Sequence, residues 1–307
     1  MENKGTQAVR KAWYAGTWYA ADPSVLRKNI SQALLEAREI EDDNLHSFGT
    51  TRFAVLPHAG LAYSARGIAH MLLHAPENLH RVVILAPSHY AHVGIDRFTT
   101  AHFASFDTPI GPLEGFVLFD DTYPRKDEML AALQREHAVE MVLPFLAYLQ
   151  EERKRSIAVS MALISQVTTA QSARQLAEDL FDAIGQEDLE SGATMVIASS
   201  DFTHYGERFG YAPYGITQGK VVSEKVRASD LELAAHLADL ELGPIFLQQR
   251  QQRQQRSTVC GIAATLVLSA LAAHVSTRGV VADYYTSQEV LGDRAADFVA
   301  YCTILWR

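Results

Sequence analysis

The sequence predicts an α/β fold: a single large domain with a mostly parallel central sheet covered by helices on both faces. Short apolar runs rich in β-branched residues alternate with longer segments that have apolar residues at helical spacing. This is the pattern of strands joined by helical crossovers. No internal repeat, long linker or shift in composition marks a domain boundary. We therefore expect residues 1–307 to form one domain, a length that large α/β sheets reach.

The predicted elements follow from these two patterns. The strands are Phe53 to Leu56, Arg81 to Ala86, Ile157 to Leu163, Thr194 to Ala198, Val280 to Tyr284 and Phe298 to Leu305. The helices are Pro23 to Ala37, Ala65 to His74, Ala138 to Gln150, Ala170 to Ile184, Val221 to Leu237 and Gly261 to Ala273. Gly94 to Tyr123 has little helical period, which predicts an irregular excursion with short strands. The glutamine-rich run Gln248 to Arg256 is typical of a solvated helix face.

Composition excludes several classes of function. A formal net charge of -9 and a pI near 5.7 disfavour nucleic acid as a partner. The sequence has no signal peptide and no apolar stretch that could span a bilayer, so we expect a cytoplasmic protein without membrane contact. Its two cysteines, Cys260 and Cys302, make a disulfide framework improbable. Motifs of serine hydrolases, dinucleotide-binding proteins and P-loop proteins are absent from the sequence.

Polar clusters directly follow three of the predicted strands, where an open α/β sheet binds its ligands. They are Pro57-His58-Ala59-Gly60, Pro87-Ser88-His89-Tyr90 and Ser199-Ser200-Asp201-Phe202-Thr203-His204. A single histidine of this kind is more often a core or surface residue. Three strand ends that each deliver a histidine, one with an aspartate three residues earlier, indicate a metal or acid/base site.

Other candidate residues have two interpretations each. The spacing of Asp201 and His204 on a turn or first helical turn suits two ligands, or a ligand and a proton shuttle, although Asp201 could instead cap a following helix. Cys260, at the start of an apolar helix, could ligate metal or react, or be a small buried hydrophobe. His137 and Glu140 lie one turn apart, which also fits an ordinary acidic helix start.

These residues stand in motifs that resemble the Memo family, including the branch called AmmeMemoRadiSam system protein B, which is similar to class III extradiol dioxygenases. The motifs run in the family's order over nearly the whole chain. They are AGTWY at 15–19, PHAGLAYS at 57–64, APSHY at 86–90, EHAVEMVLPFL at 136–146, SSDFTHYG at 199–206, TVCG at 258–261, YYTS at 284–287 and the VAYCTI end strand.

The resemblance implies a LigB-like extradiol dioxygenase fold and a metal site. His58, His89 and Cys260 would occupy the ligand positions with Asp201 beside them, while His204 would be the acid/base histidine and His137 would lie near the pocket. Iron (Fe2+) is the expected cofactor, with copper as the alternative. The implied partners are a small-molecule substrate and radical SAM and Ammecr-type proteins.

The third ligand position separates the functional hypotheses. Extradiol enzymes of this fold hold iron with two histidines and a carboxylate, whereas the matching residue here is Cys260, whose thiolate is softer and open to oxidation. One hypothesis is an extradiol dioxygenase-like oxidoreductase acting on a catechol-like substrate, with Asp201 supplying an oxygen ligand. The alternative is a non-catalytic copper- or iron-binding protein for redox control or partner docking. A weaker third hypothesis is a metal-free hydrolase with Cys260 as nucleophile.

Overall fold

The computed structural model describes residues 8–119, 127–216, 220–251, 258–276, 278–292 and 295–307. Among these residues, strands from Val9 to Trp306 join one 11-stranded sheet. The strands are β1 (Val9–Arg10), β2 (Phe53–Leu56), β3 (Arg81–Ala86), β4 (Thr99–Thr100), β5 (Ser105–Phe106), β6 (Leu113–Gly115), β7 (Ala158–Leu163), β8 (Thr194–Ser199), β9 (His204–Tyr205), β10 (Gly279–Thr286) and β11 (Phe298–Trp306).

The centre of the sheet is parallel, as the sequence predicts. The spatial order is β1-β5-β6-β7-β3-β8-β2-β11-β10, and each neighbouring pair from β6 to β2 is parallel. Beyond β2, strands β11 and β10 add antiparallel, while β4 pairs with β7 and β9 pairs with β11. Strands β3, β8 and β2 are therefore direct neighbours, and their carboxyl ends meet at one edge.

Helices cover both faces of this sheet. They are α1 (Pro23–Ile40), α2 (Asp43–His46), α3 (Leu61–Leu73), α4 (Asp127–Arg135), α5 (His137–Glu140), α6 (Leu143–Arg153), α7 (Ala170–Ile184), α8 (Gln186–Ser191), α9 (Lys220–Ala238), α10 (Leu242–Gln251), α11 (Ile262–Ala272) and α12 (Ser287–Leu291). Alternation along β2 shows the two faces: Ala54 and Leu56 pack in the core with α1, α3 and α6, and Phe53 and Val55 in the core with α7, α9 and α11.

All six predicted strands are present, with bounds that differ by at most two residues. Among the helices, α7 has the predicted bounds, whereas α1 and α3 are each several residues longer. The excursion after Gly94 carries the short strands β4 to β6, and its predicted end beyond 119 lies outside the described residues. The predicted run Gln248 to Arg256 is helical as far as Gln251, and 252–257 also lie outside them.

The prediction of one helix from Ala138 to Gln150 is wrong. The chain forms α5 and then α6, with a turn at Met141 and Val142 between them. Pro144 lies in the first turn of α6, where its missing N–H costs nothing. In a continuous helix, residue 144 would have to donate an N–H to the carbonyl of Glu140, which proline cannot do. The break leaves His137 as the first residue of a short helix beside the sheet edge.

The structure also tests the membrane prediction in part. Within the described ranges, no helix combines the length and the apolar character needed to cross a bilayer.

Candidate metal centre

The three polar clusters meet at the carboxyl edge of the sheet. His58 lies two residues after β2, His89 lies three residues after β3, and Ser199 is the last residue of β8. Because these strands are parallel neighbours, their following residues converge, as the sequence predicts. The rings of His58 and His89 are 5.3 Å apart between centroids.

A serine fixes the tautomer of His58. Nδ1 of His58 lies 2.9 Å from Oγ of Ser199, and that hydroxyl donates its only proton to the carbonyl of Ala138. Nδ1 must therefore carry the proton and donate to Ser199, which leaves a lone pair on Nε2. Nε2 lies 3.1 Å from Sγ of Cys260. Burial, together with His89 and His204, lowers the pKa of His58 well below its ordinary value, so the ring is neutral at neutral pH.

A buried carboxylate orients His89 in the same way. Glu136, which is fully buried, accepts hydrogen bonds from Nδ1 and from the backbone N–H of His89, both at 2.7 Å. Burial would raise the pKa of Glu136, but the hydrogen bonds and charge of His89 outweigh it and the pKa is lowered. Nε2 of His89 is left for a ligand. Carboxylate–imidazole pairs of this kind orient metal-binding histidines in many proteins.

Close packing brings Cys260 against the end of β8. Gly261 donates its N–H to Oγ of Ser200, and a Cβ at position 261 would lie only 2.3 Å from the carbonyl oxygen of Ser199. Only glycine allows this approach. Burial, and then the charge of Asp201, raises the pKa of the Cys260 thiol well above its ordinary value. The helix dipole would lower this pKa, but burial and the charge of Asp201 outweigh it. The thiol is therefore protonated before any metal binds.

Two groups of potential ligands lie at this edge. Ligand atoms of His58, His89 and Cys260 lie within 4.8 Å of one another, and so do those of His89, Glu136 and His137. We favour the first group, because its atoms include the lone pair of His58 and the thiol. In the second group, Glu136 is already engaged by the N–H groups of His89 and by Ala138 N at 3.1 Å.

Asp201 lies beside this centre but belongs to neither group. Its Oδ1 accepts hydrogen bonds from the backbone N–H groups of His58 at 2.7 Å and Ala59 at 3.3 Å. The alternative role of helix cap is wrong, because the residues that follow lead into β9 and not into a helix. Burial raises the pKa of Asp201, against the opposing effect of these hydrogen bonds and of His204. Its role as a metal ligand stays a prediction.

His204 lies in strand β9 and not on the turn or first helical turn that the spacing suggested. Nδ1 is 3.1 Å from the carbonyl of Phe202 and 3.0 Å from that of Thr258, so it carries a proton. Nε2 is then the nitrogen with a lone pair. The charge that His204 can carry lowers the pKa of both His58 and Asp201. The role of His204 as the acid/base histidine stays a prediction.

His137 forms part of an aromatic wall at the mouth of the site. Its ring stacks on His89 with 4.3 Å between centroids and lies 4.7 Å from the ring of Trp18. Burial, and then His58 and His89, lowers the pKa of His137 to about 3, so the ring is neutral at neutral pH. The segment that carries Trp18 comes from the N-terminal end of the chain. Its motif was recognised only as part of the family resemblance and was not assigned to the site.

A buried ion pair that the sequence did not reveal holds this wall in place. Arg10 and Glu140 are fully buried and 2.8 Å apart. Glu140 also accepts hydrogen bonds from the backbone of Trp13 and Tyr14 and from the hydroxyl of Tyr19. The acidic helix start was therefore not an ordinary one. The only signal in the sequence was that Glu140 lies one turn after His137, which does not reveal a partner 130 residues away.

Fold and site together define a class: an α/β protein with a candidate histidine–cysteine metal centre at the carboxyl edge of a mostly parallel sheet, consistent with a LigB-like fold. A family model described as "Memo-like protein" matches residues 10–305. The chain therefore belongs to the Memo family, as the motifs predicted.

Known relatives match along most of the chain. A MEMO1 family protein of Methanopyrus kandleri is 32% identical over 309 residues, which cover 95% of this chain and 97% of the relative. Protein MEMO1 of Xenopus laevis is 26% identical, with 91% of this chain and 89% of the relative covered. The memo-1 homolog of Caenorhabditis elegans is 26% identical, with 87% and 72% covered.

Proposed function

We propose that the chain binds a single iron or copper ion through Nε2 of His58, Nε2 of His89 and Sγ of Cys260, and that it acts there as a dioxygenase-like oxidoreductase. The convergence of these three ligand atoms to within 4.8 Å carries the proposal. Nitrogen and sulfur ligands lie about 2.1 and 2.3 Å from a bound ion. Small side-chain movements therefore suffice for one ion to reach all three.

The residues around the ligands fit such an ion. Ser199 and Glu136 hold the protons of His58 and His89 on Nδ1, so that both Nε2 atoms are free to coordinate. Three protein ligands would leave coordination positions open for a small-molecule substrate. When bound, iron or copper would supply the one-electron chemistry that activates dioxygen. His204 would exchange a proton with the substrate through Nε2.

The thiol of Cys260 favours a second candidate function. A thiolate is a soft ligand that suits cuprous copper, and it is open to oxidation near an activated oxidant. The alternative is therefore a non-catalytic copper or iron protein that serves redox control or partner docking. Radical SAM and Ammecr-type proteins, which the family resemblance implied, would then be the partners.

Metal loading tests the site itself. The chain is produced without a histidine tag or chelators, loaded anaerobically with ferrous or cuprous ions, desalted and analysed for bound metal. We expect one ion per chain, and loss of that ion in His58→Ala, His89→Ala and Cys260→Ala. His236→Ala, which removes a partly exposed imidazole on α9, is the matched control. Wild-type metal content in all three site variants would refute the proposed centre.

Oxygen uptake separates the two candidate functions. Iron-loaded protein is mixed with a panel of catechols and related diols while dissolved dioxygen is monitored. Uptake that depends on the diol and falls in His204→Ala supports the oxidoreductase. An occupied centre without uptake for any diol rejects it in favour of the non-catalytic protein.

A further inference from the structure

A chain of hydrogen bonds between two tyrosines and His137 lies at the mouth of the candidate centre. Oη of Tyr14 donates to the carbonyl of Arg135 at 2.8 Å. Oη of Tyr90 lies 2.6 Å from Oη of Tyr14 and 3.1 Å from Nδ1 of His137. Tyr90 is half exposed, so these hydrogen bonds link His137 to the protein surface.

The direction of each hydrogen bond in this chain is fixed by the number of protons. A phenol has one proton, and the carbonyl of Arg135 can only accept, so the proton of Tyr14 is committed there. Tyr90 must then donate to Tyr14. With its own proton committed, Oη of Tyr90 can only accept from His137. The neutral ring of His137 therefore carries its proton on Nδ1.

Neighbouring groups are consistent with this direction. Burial and the hydrogen bond with Tyr90 raise the pKa of Tyr14, which keeps the phenol protonated. Oε1 of Glu136 lies 3.5 Å from Nδ1 of His137 and can only accept, so it also favours a proton on Nδ1. Packing between Trp18 and His89 holds the plane of the ring.

The opposite nitrogen is then an acceptor. In the described part of the chain, Nε2 of His137 has no hydrogen-bond partner. It is absent from the buried polar atoms that lack a partner, so this nitrogen is accessible and not sealed in the core. The ring centroid lies 5.4 Å from that of His58. A lone pair at this position is available to accept a hydrogen bond from a ligand bound beside His58.

We propose that Tyr90, with Tyr14 behind it, is a positioning residue that holds His137 in the Nδ1–H tautomer, so that Nε2 accepts a hydrogen bond from a ligand at the centre. The site would then select ligands that present an O–H or N–H donor to His137 over ligands that carry an ether or methyl group there. This selectivity rests on the proposed function, whereas the tautomer does not require a bound metal.

Nitrogen NMR of the metal-free full chain tests the tautomer directly. Long-range proton–nitrogen correlations identify the protonated ring nitrogen, and His137→Gln assigns the signals. We expect Nδ1–H in the wild type. Tyr90→Phe removes the acceptor and Tyr14→Phe frees the proton of Tyr90 to point at His137, so each should raise the share of Nε2–H, by up to roughly tenfold.

A matched control and two outcomes make the test decisive. Tyr148→Phe removes a tyrosine hydroxyl on α6 away from the site and should leave the His137 signals unchanged. Nε2–H in the wild type would overturn the proposal. So would a tautomer ratio that stays at the wild-type value in both Tyr90→Phe and Tyr14→Phe, because Glu136 alone would then set the tautomer. Failure of metal loading would leave these signals readable, so the two proposals fail separately.

Discussion

Oγ of Ser199 lies 2.9 Å from Nδ1 of His58 and donates its own hydrogen bond to the carbonyl of Ala138. This buried hydroxyl connects His58, the proposed metal ligand that follows β2, to Ala138 in helix α5. The same helix begins at His137 and ends at Glu140, which binds the N-terminal segment. The orientation of His58 and the wall at the mouth of the site thus depend on one short helix.

Replacement of Ser199 by Ala should weaken metal binding. Nδ1 of His58 would lose its acceptor, so the ring would no longer be held with Nε2 towards Cys260, and affinity should fall by roughly tenfold to a hundredfold. Competition with a coloured chelator measures the affinity. Ser160→Ala, which changes a buried serine of β7, is the control. Equal affinities in the two variants would contradict this role of Ser199.

Two substitutions at Asp201 separate its candidate roles. Asn retains an oxygen that can accept the backbone N–H groups of His58 and Ala59, whereas Ala removes it. If Asp201 acts by holding this turn, Asp201→Asn should keep metal affinity close to the wild type and Asp201→Ala should lose at least roughly tenfold. Chelator competition measures both. An equal, large loss in the two variants would instead identify Asp201 as a metal ligand.

How much the sequence could predict depends on the kind of contact. His58 and His89 follow apolar runs directly, so their convergence followed from strand patterns alone. Cys260 was assigned to the same site only through the family resemblance, because nothing in the local sequence places its helix beside β8. The partners Glu136 and Tyr14 could not be predicted, since their roles depend on contacts across 47 and 76 residues of chain. Hydrogen-bond partners at such separations are set by the packed structure.

Removal of the Glu140 carboxylate should destabilise the protein strongly. Arg10 would remain fully buried without its counter-ion, and loss of one member of a buried ion pair costs about 3–5 kcal/mol. Urea unfolding of Glu140→Ala measures the free energy of unfolding. Glu151→Ala, which breaks the exposed pair with Arg27, should change it little. If Glu140→Ala were no more destabilising than Glu151→Ala, the buried pair would not stabilise the N-terminal wall.

A buried carboxyl on α9 should make stability depend on pH. Asp230 accepts hydrogen bonds from Thr203 at 2.6 Å and from Tyr284 at 2.9 Å. Burial raises the pKa of Asp230 to about 6, against the effect of these hydrogen bonds. The unfolded chain has a pKa of about 3.9 at this group. Between roughly pH 4 and pH 6 the folded state therefore holds more protons, and stability falls as the pH rises through this window.

Asp230→Asn should remove this dependence, because an amide does not titrate. The free energy of unfolding of the wild type minus that of Asp230→Asn should fall by about 2 kcal/mol from pH 4 to pH 7. Urea titrations at several pH values measure it, and Asp179→Asn on the exposed face of α7 provides the control. A difference that stays constant or rises with pH would show that Asp230 is ionised throughout. Thr203, which donates a hydrogen bond to Asp230, lies between Asp201 and His204. Titration of Asp230 would therefore also affect the segment that carries these two site residues.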